Sequence, residues 1–321
     1  MSPSASRTKT GTCVVGSFMM DLIAYAPRRP EPGETLVGTE FLKTPGGKGF
    51  NQAVACARSG MPTSMVGRVG EDDFGTEFLN MLRGEGIDNC GVSRDAETGT
   101  GVGMPVVSAD GQNSIIIIPR ANHSITPQHV RDQARLIEDA AVLLLQLELP
   151  MDAAIEAARI ARTAGTCVVL NPAPYTELPT AIVDLCDVLV PNEVELAAWT
   201  GHDTASTEEV IRVAAELGAH HGVDLVVTLG SRGVLVAARD EEPQFIAAHR
   251  VHAIDTIGAG DVFCGYLCAQ LCQGASLADA ARVANVASAI AVTRPGGASS
   301  APTRAEVEEF TTTHPTREDQ R

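Results

Sequence analysis

The segment Asp255-Thr256-Ile257-Gly258-Ala259-Gly260-Asp261 sets small residues ahead of an acid that opens a helical stretch, Val262 to Cys272. A glycine turn at a helix start aims backbone N–H groups at one point, and the helix macrodipole adds positive potential there. Such a point is an anion site. An acid beside it is misplaced if the only task is to hold phosphate. It fits if it takes a proton from an alcohol while the amides stabilise phosphoryl charge developing next to it. Alone, the segment reads equally well as a glycine-rich turn with an ordinary first-turn acid.

A second loop asks for related chemistry. Residues 45–52, Pro-Gly-Gly-Lys-Gly-Phe-Asn-Gln, open another helix, Asn51 to Arg58. Glycines on both sides of Lys48 let the backbone approach a small polar ligand closely. Lys48 and Asn51 offer donors to hydroxyls or phosphate. Gly49 follows Lys48, which excludes a Walker A loop, and no Gly-x-Gly-x-x-Gly follows a strand, which argues against a dinucleotide-binding dehydrogenase.

Two such loops in this order resemble the ribokinase-type carbohydrate kinases of the PfkB family, in their ribokinase and deoxyribokinase branch. The similarity runs from about Val14 to about Phe310. Smaller matches are Gln146-Leu147-Glu148, Asn171-Pro172-Ala173-Pro174, Asn192-Glu193-Val194-Glu195, Thr228-Leu229-Gly230-Ser231-Arg232-Gly233 and Ala291-Val292-Thr293-Arg294. The resemblance implies ATP- and Mg²⁺-dependent phosphorylation of a sugar hydroxyl. It makes Asp261 the general base and Gly258, Ala259 and Gly260 the anion hole. It places Gly47, Lys48, Asn51 and Glu148 on the sugar side, and Thr228, Gly230, Ser231 and Gly233 on the ATP side, with Asn285 at a further nucleotide position. Several family members bind a monovalent cation beside the anion hole, so K⁺ is expected here. The matching positions are Asp255, Ile257, Ala291, Arg294, Gly296 and Ser300, most acting through backbone carbonyls.

Other residues carry readings of their own. Asp21 follows the first strand, at the edge where open α/β sheets bind ligands, and its carboxylate can accept from two neighbouring hydroxyls; it can equally cap a turn. Glu148 ends an apolar strand, where an unpaired charge is costly, so it either meets a sugar hydroxyl or sits in solvent. Asn192 and Glu195 share one face of a helix start. Mg²⁺ keeps several waters, so the pair would organise metal-bound water rather than fully ligate the ion; plain N-capping is the alternative. Cys264, Cys268 and Cys272 line one helix face and read as small buried hydrophobes, and His220-His221 point apart.

Met19 marks a departure. Bacterial ribokinases usually carry Asn at this position, and the segment Gly16 to Leu22 is closer to deoxyribokinases. Methionine cannot hydrogen-bond a ring hydroxyl but packs well against CH₂. The expected reaction is therefore at the 5-hydroxyl of ribose, with 2-deoxyribose also accepted. Kinases of fructose, ketodeoxygluconate or nucleosides are alternatives, as is a non-catalytic sugar sensor on the same fold. A nucleoside pocket would want aromatics, and these are only 4% of the chain.

The positioning elements follow from composition and pattern. The chain has 321 residues, 44% hydrophobic, enough for a sizeable core. A net charge of −16 argues against nucleic acid or anionic membrane as partner. Eight scattered cysteines and the lack of a signal-like or spanning apolar run lead to an expectation of cytoplasmic free thiols. Strand-like runs (Cys13–Ser17, Ser64–Arg68, Ala141–Gln146, Thr166–Asn171, Val188–Val190, Leu225–Thr228) alternate with helical ones such as Asp152–Thr163 and Thr207–His220. That alternation predicts an α/β fold, a doubly wound and mostly parallel sheet with helices on both faces. One domain is expected over 11–312, with disordered tails at 1–10 and 313–321. Two stretches break the pattern. Residues 22–44 carry prolines and a β-like Thr35–Phe41, and residues 101–118 read as a hairpin of Val102–Val107 and Ser114–Ile118 around Asp110-Gly111. Together they predict a small β-sheet lid. Its four isoleucines need cover, which makes the lid a candidate homodimer surface.

Overall fold

The computed structural model describes residues 9–239 and 241–314. Its strands are β1 (Thr12–Val15), β2 (Met19–Ala26), β3 (Glu40–Gly46), β4 (Thr63–Gly70), β5 (Asp88–Asp95), β6 (Gly101–Ser108), β7 (Asn113–Ile118), β8 (Val142–Leu145), β9 (Cys167–Leu170), β10 (Val188–Leu189), β11 (Asp224–Thr228), β12 (Gly233–Ala237) and β13 (Gln244–Ala247). The helices are α1 (Lys48–Arg58), α2 (Asp73–Gly84), α3 (Pro127–Asp132), α4 (Ala134–Asp139), α5 (Met151–Ala164), α6 (Thr180–Val183), α7 (Glu193–Thr200), α8 (Thr207–His221), α9 (Ala259–Cys272), α10 (Leu277–Ala291) and α11 (Arg304–Thr313).

Nine strands form one sheet in the order β13-β12-β11-β10-β9-β8-β1-β4-β5. Pairing is parallel from β5 to β11 and antiparallel for β12 and β13 at one edge. Central strands are apolar throughout because both faces are covered. In β1, Val14 faces a core with α1, α9 and α10, while Cys13 and Val15 face a second core with α5 and α8. The winding reverses at β1, with β4 on one side and β8 on the other. Ligands of open α/β sheets lie at such a switch point, beyond the carboxyl ends of the strands. Here those ends lead into Gly16–Asp21 and Gln146–Glu148.

The lid is a separate four-stranded sheet, β3-β2-β6-β7, with β2 and β6 parallel and both outer pairs antiparallel. The second strand of residues 22–44 runs over Glu40–Gly46, not Thr35–Phe41. Pairing with β2 decides this: Met19 opposes Gly46 and Tyr25 opposes Glu40, which leaves Thr35 to Gly38 outside the ladder. Ile115 to Ile118 are all exposed in the single chain, although successive residues of a strand point to opposite faces. Phe41, Leu42 and Met104 on the neighbouring strands are exposed as well.

The sequence-based tails fall partly outside the described residues, at 1–8 and 315–321. Lys9 Nζ donates to Thr166 Oγ1 at 2.5 Å, Thr10 N donates to Asp139 O at 3.2 Å, and α11 continues to Thr313. Among the described residues, no helix is long and apolar enough to cross a membrane.

Candidate active site

Helix α1 starts at the switch point because glycines let it. Gly47, its N-cap, has φ 91°, a left-handed conformation costly for other residues. A Cβ on Gly49 would stand 2.3 Å from Ser17 N, so α1 docks directly on the turn that follows β1. Helix α9 begins similarly from Gly258, with φ 75° and its Cα face against Gly297. The first helical bond there runs from Val262 N to Gly258 O. The N–H groups of Gly260 and Asp261 precede it and have no intrahelical acceptor. Ala259 N turns back to Thr256 O at 3.3 Å, so this residue of the expected anion hole already has a partner.

The two helix starts meet at Asp261. Asn51 Nδ2 donates to Asp261 Oδ2 at 2.9 Å, and Gln52 Nε2 donates to Oδ1 at 3.0 Å. Asp261 is buried, yet it lines a cavity of about 190 Å³ shared with Lys48, Asn192, Glu195, Thr228 and Gly260. Asn51, expected as a sugar-side donor, thus spends one amide hydrogen on the candidate base.

The lid side presents Asp21 and Met19 from β2. A Cβ on Gly46 would stand 2.5 Å from Asp21 Oδ2, and one on Gly103 2.0 Å from Oδ1, so glycines on both flanking strands make room for this carboxylate. No donor among the described residues hydrogen-bonds it. Burial and nearby Glu148 push its carboxyl up to about 6. Met19 is buried beside it. The turn carrying both is fixed by buried Asn122, whose Oδ1 accepts from Phe18 N at 2.8 Å and whose Nδ2 donates to Phe18 O at 2.7 Å. From the body, Glu148 Oε2 accepts from Lys48 N at 2.9 Å and from the Ser17 hydroxyl. Burial works against the Lys48 charge, but Asp261, Glu148 and Glu195 overcome it and hold the ammonium above its ordinary value.

On the opposite side, Asn192 and Glu195 form a capping box at the start of α7. Asn192 Oδ1 accepts from Glu195 N and Glu195 Oε2 accepts from Asn192 N, both at 2.8 Å. Burial pushes the Glu195 carboxyl up, opposed by that N–H and by Lys48. Thr228 ends β11 next to them, its N–H donating to Pro191 O at 3.0 Å. Gly230 and Ser231 form an exposed turn beyond it, and Gly233 (φ 122°) closes on β13. Asn285 does not reach this cavity; its Nδ2 donates to Ala247 O at 2.8 Å.

Of the expected cation positions, Asp255, Ile257 and Gly296 are joined by hydrogen bonds. Asp255 Oδ1 accepts from Ile257 N and Oδ2 from Gly296 N, both at 2.9 Å. Ser300 Oγ donates to Gly297 O at 2.8 Å, Ala291 O accepts from Arg294 N at 3.0 Å, and the Arg294 guanidinium pairs with Glu306. These contacts brace the loop that Gly258 packs on.

A model of pfkB family carbohydrate kinases matches residues 9–304. The chain belongs to that family. Among pfkB relatives, a ribokinase of Haemophilus influenzae is 37% identical over 298 residues, 92% of this chain and 97% of that protein. A deoxyribokinase of Salmonella typhi is 36% identical over 299 residues, covering 92% and 97%. The structure of Arabidopsis thaliana ribokinase complexed with ribose and ATP matches with a TM-score of 0.90 at 32% identity, over 94% of this chain and 98% of that one.

This pfkB site contains residues whose roles the motifs did not announce: Gln52, Gln146, Asn171, Ser17 and Asn122. The available signal was a polar amide where an apolar residue is expected, as at Gln146 after Val142–Leu145. A divalent cation finds no protein cage here, since no three acid, His or Cys side chains cluster among the described residues. The half-open Asn192–Glu195 pair suits an ion that arrives on phosphate oxygens and keeps its waters.

Proposed function

We propose that this sugar kinase transfers the γ-phosphoryl group of ATP to the 5-hydroxyl of a pentose. The observation that carries the reading is Asp261: a buried carboxylate at the start of α9, held by Asn51 and Gln52, that lines a cavity with Lys48, Asn192, Glu195 and Thr228. The sugar lies between lid and body. Asp21 accepts from its ring hydroxyls, and Glu148, fixed by Ser17 and Lys48 N, accepts from another. Asp261 takes the proton of the attacking hydroxyl as the bond to phosphorus forms and the bridge to ADP breaks. The N–H groups of Gly260 and Asp261 and the Lys48 ammonium face the charge that develops, in a site where water is thinned and fixed donors act strongly. Mg²⁺ would neutralise phosphate charge and orient the leaving group, with Asn192 and Glu195 holding its water.

Met19 supports acceptance of 2-deoxyribose. A thioether offers nothing to a 2-hydroxyl, and an unpaired buried polar group costs about 1–3 kcal/mol. The exposed lid, Phe41 and Ile115 to Ile118 above all, supports a homodimer through this sheet. K⁺ is read at the Asp255–Gly296 loop, and the free, mostly buried cysteines suit a cytoplasmic enzyme.

The test is ADP release from Mg-ATP with ribose, 2-deoxyribose, fructose, ketodeoxygluconate and a nucleoside, in potassium and in sodium. Turnover of the pentoses above the others is expected, and faster in potassium. Turnover of fructose or a nucleoside alone would replace the pentose reading. Sugar binding without any ADP release would make the protein a sensor.

A further inference from the structure

Behind Asp261 runs a line of buried side-chain amides. Gln52 Nε2 donates to Asp261 Oδ1 at 3.0 Å and to Asn171 Oδ1 at 3.1 Å. Gln146 Nε2 donates to Gln52 Oε1 at 2.5 Å, and Asn171 Nδ2 donates to Val190 O at 2.8 Å. Gln52 is wholly buried and Gln146 nearly so, with Gln52 on the same helix as the core residues Phe50, Ala53 and Val54.

The direction of every amide in this line is forced. Its two ends, the Asp261 carboxylate and the Val190 carbonyl, are acceptors only. Gln52 must therefore show its NH₂ to Asp261, and its carbonyl must face Gln146. Gln146 must then show its own NH₂, which turns Gln146 Oε1 toward Gly16, where it is buried with no hydrogen-bond partner among the described residues. The same logic orients Asn51, whose buried Oδ1 also has no hydrogen-bond partner among the described residues. Two unmet carbonyls are a poor choice for stability alone. They are the consequence of aiming two NH₂ groups at one carboxylate.

We infer that Gln52 is a positioning residue for phosphoryl transfer, locked by Gln146 and Asn171 so that its amide, with that of Asn51, fixes the rotation of the Asp261 carboxylate. Each carboxylate oxygen then keeps a lone pair for the cleft, at an angle that the side chain alone would not hold. Gln146 precedes Glu148 by two residues, so the sugar-side strand end and the base are set by one connected piece of chain. The inference rests on Asp261 being the base.

The experiment measures kcat and KM for the pentose that turns over best, together with melting temperature, in Asp261→Asn, Gln52→Met, Gln146→Met and the Asp261→Asn/Gln52→Met double variant. Gln52→Met should lower kcat by about 10- to 100-fold, the scale of a small misplacement of a reacting group, with sugar KM within about twofold because Lys48, Glu148 and Asp21 are untouched. Gln146→Met, which removes a carbonyl without a partner but also the donor to Gln52 Oε1, should lower kcat by about 3- to 10-fold in a variant that still folds. The double variant should be no slower than Asp261→Asn, since residues acting as one unit are not additive. Wild-type kcat in Gln52→Met, or additive losses in the double variant, would overturn the inference while a strongly slowed but measurable Asp261→Asn keeps the base assignment. If Gln52→Met does not fold, Gln146→Met decides, and unchanged kcat there overturns it. An active Asp261→Asn would instead remove the base reading itself.

Discussion

Asp21→Asn tests the idea that the lid holds an unpaired carboxylate ready for a hydroxylated ligand. The Asp21 carboxyl is pushed from 3.8 to about 6 by burial and by Glu148. A shift of roughly two units corresponds to about 3 kcal/mol. The group is only half-buried, so about 1–2 kcal/mol is the working figure. The sign follows from linkage. The folded state holds the proton more tightly than the unfolded chain, so the ionised group destabilises the fold at every pH above about 6. That penalty shrinks as pH falls from 6 to 4 and vanishes below the unfolded value. Asparagine has nearly the same shape without the charge. Asp21→Asn should therefore melt about 2–3 °C above the parent at pH 8, given the unfolding entropy of a chain this long. The gain should fade toward pH 4. Melting curves across pH 4–8, with and without pentose, provide the assay. The same substitution should erase the sugar-induced rise in melting temperature. A variant less stable than the parent at pH 8, or equally stabilised at all pH values, would refute the reasoning.

Further substitutions address other parts of the site. Met19→Asn should shift the ratio of kcat/KM for ribose over 2-deoxyribose toward ribose by about tenfold, one hydrogen bond to a hydroxyl that methionine leaves unmet. Asn192→Ala removes the cap of α7, so stability should fall by about 1 kcal/mol, and the Mg²⁺ concentration for half-maximal rate should rise in the same preparation. Ile116→Lys on the exposed lid strand should turn a dimer into a monomer in sedimentation or light scattering; an unchanged dimer would place the interface elsewhere.

The sequence made the fold legible wherever a strand is buried on both faces. Val142–Leu145 and Leu225–Val227 could only be central strands, and the Asp110-Gly111 turn announced its hairpin. Thr35–Phe41 misled because its β-branched residues look like a strand, while the ladder with β2 selects Glu40–Gly46. Among candidate site residues, Asp261, Lys48 and Asp21 stood out because charges in glycine-rich turns have few structural excuses. Asn192 and Glu195 do cap a helix, the bland alternative, and still face the cavity. The amide line through Gln52 and Gln146 was hidden because the partners of Gln52 lie 94 residues away and more, and periodicity carries no trace of such contacts.

Strands β1 and β2 are nearly one run of chain, broken only at Gly16 to Phe18. The small sheet therefore hangs from the middle of the large one like a lever whose fulcrum is the Phe18 peptide, gripped on both sides by Asn122. Asp21 lies three residues out, about 10 Å along an extended strand. A tilt of roughly 10° at the fulcrum would carry it by about 2 Å on that arm, the difference between a hydrogen bond and none. Sugar preference can thus drift through residues 16–18 and Asn122 while every contact residue stays the same. Libraries that randomise only the cavity wall would leave this adjustment unexplored.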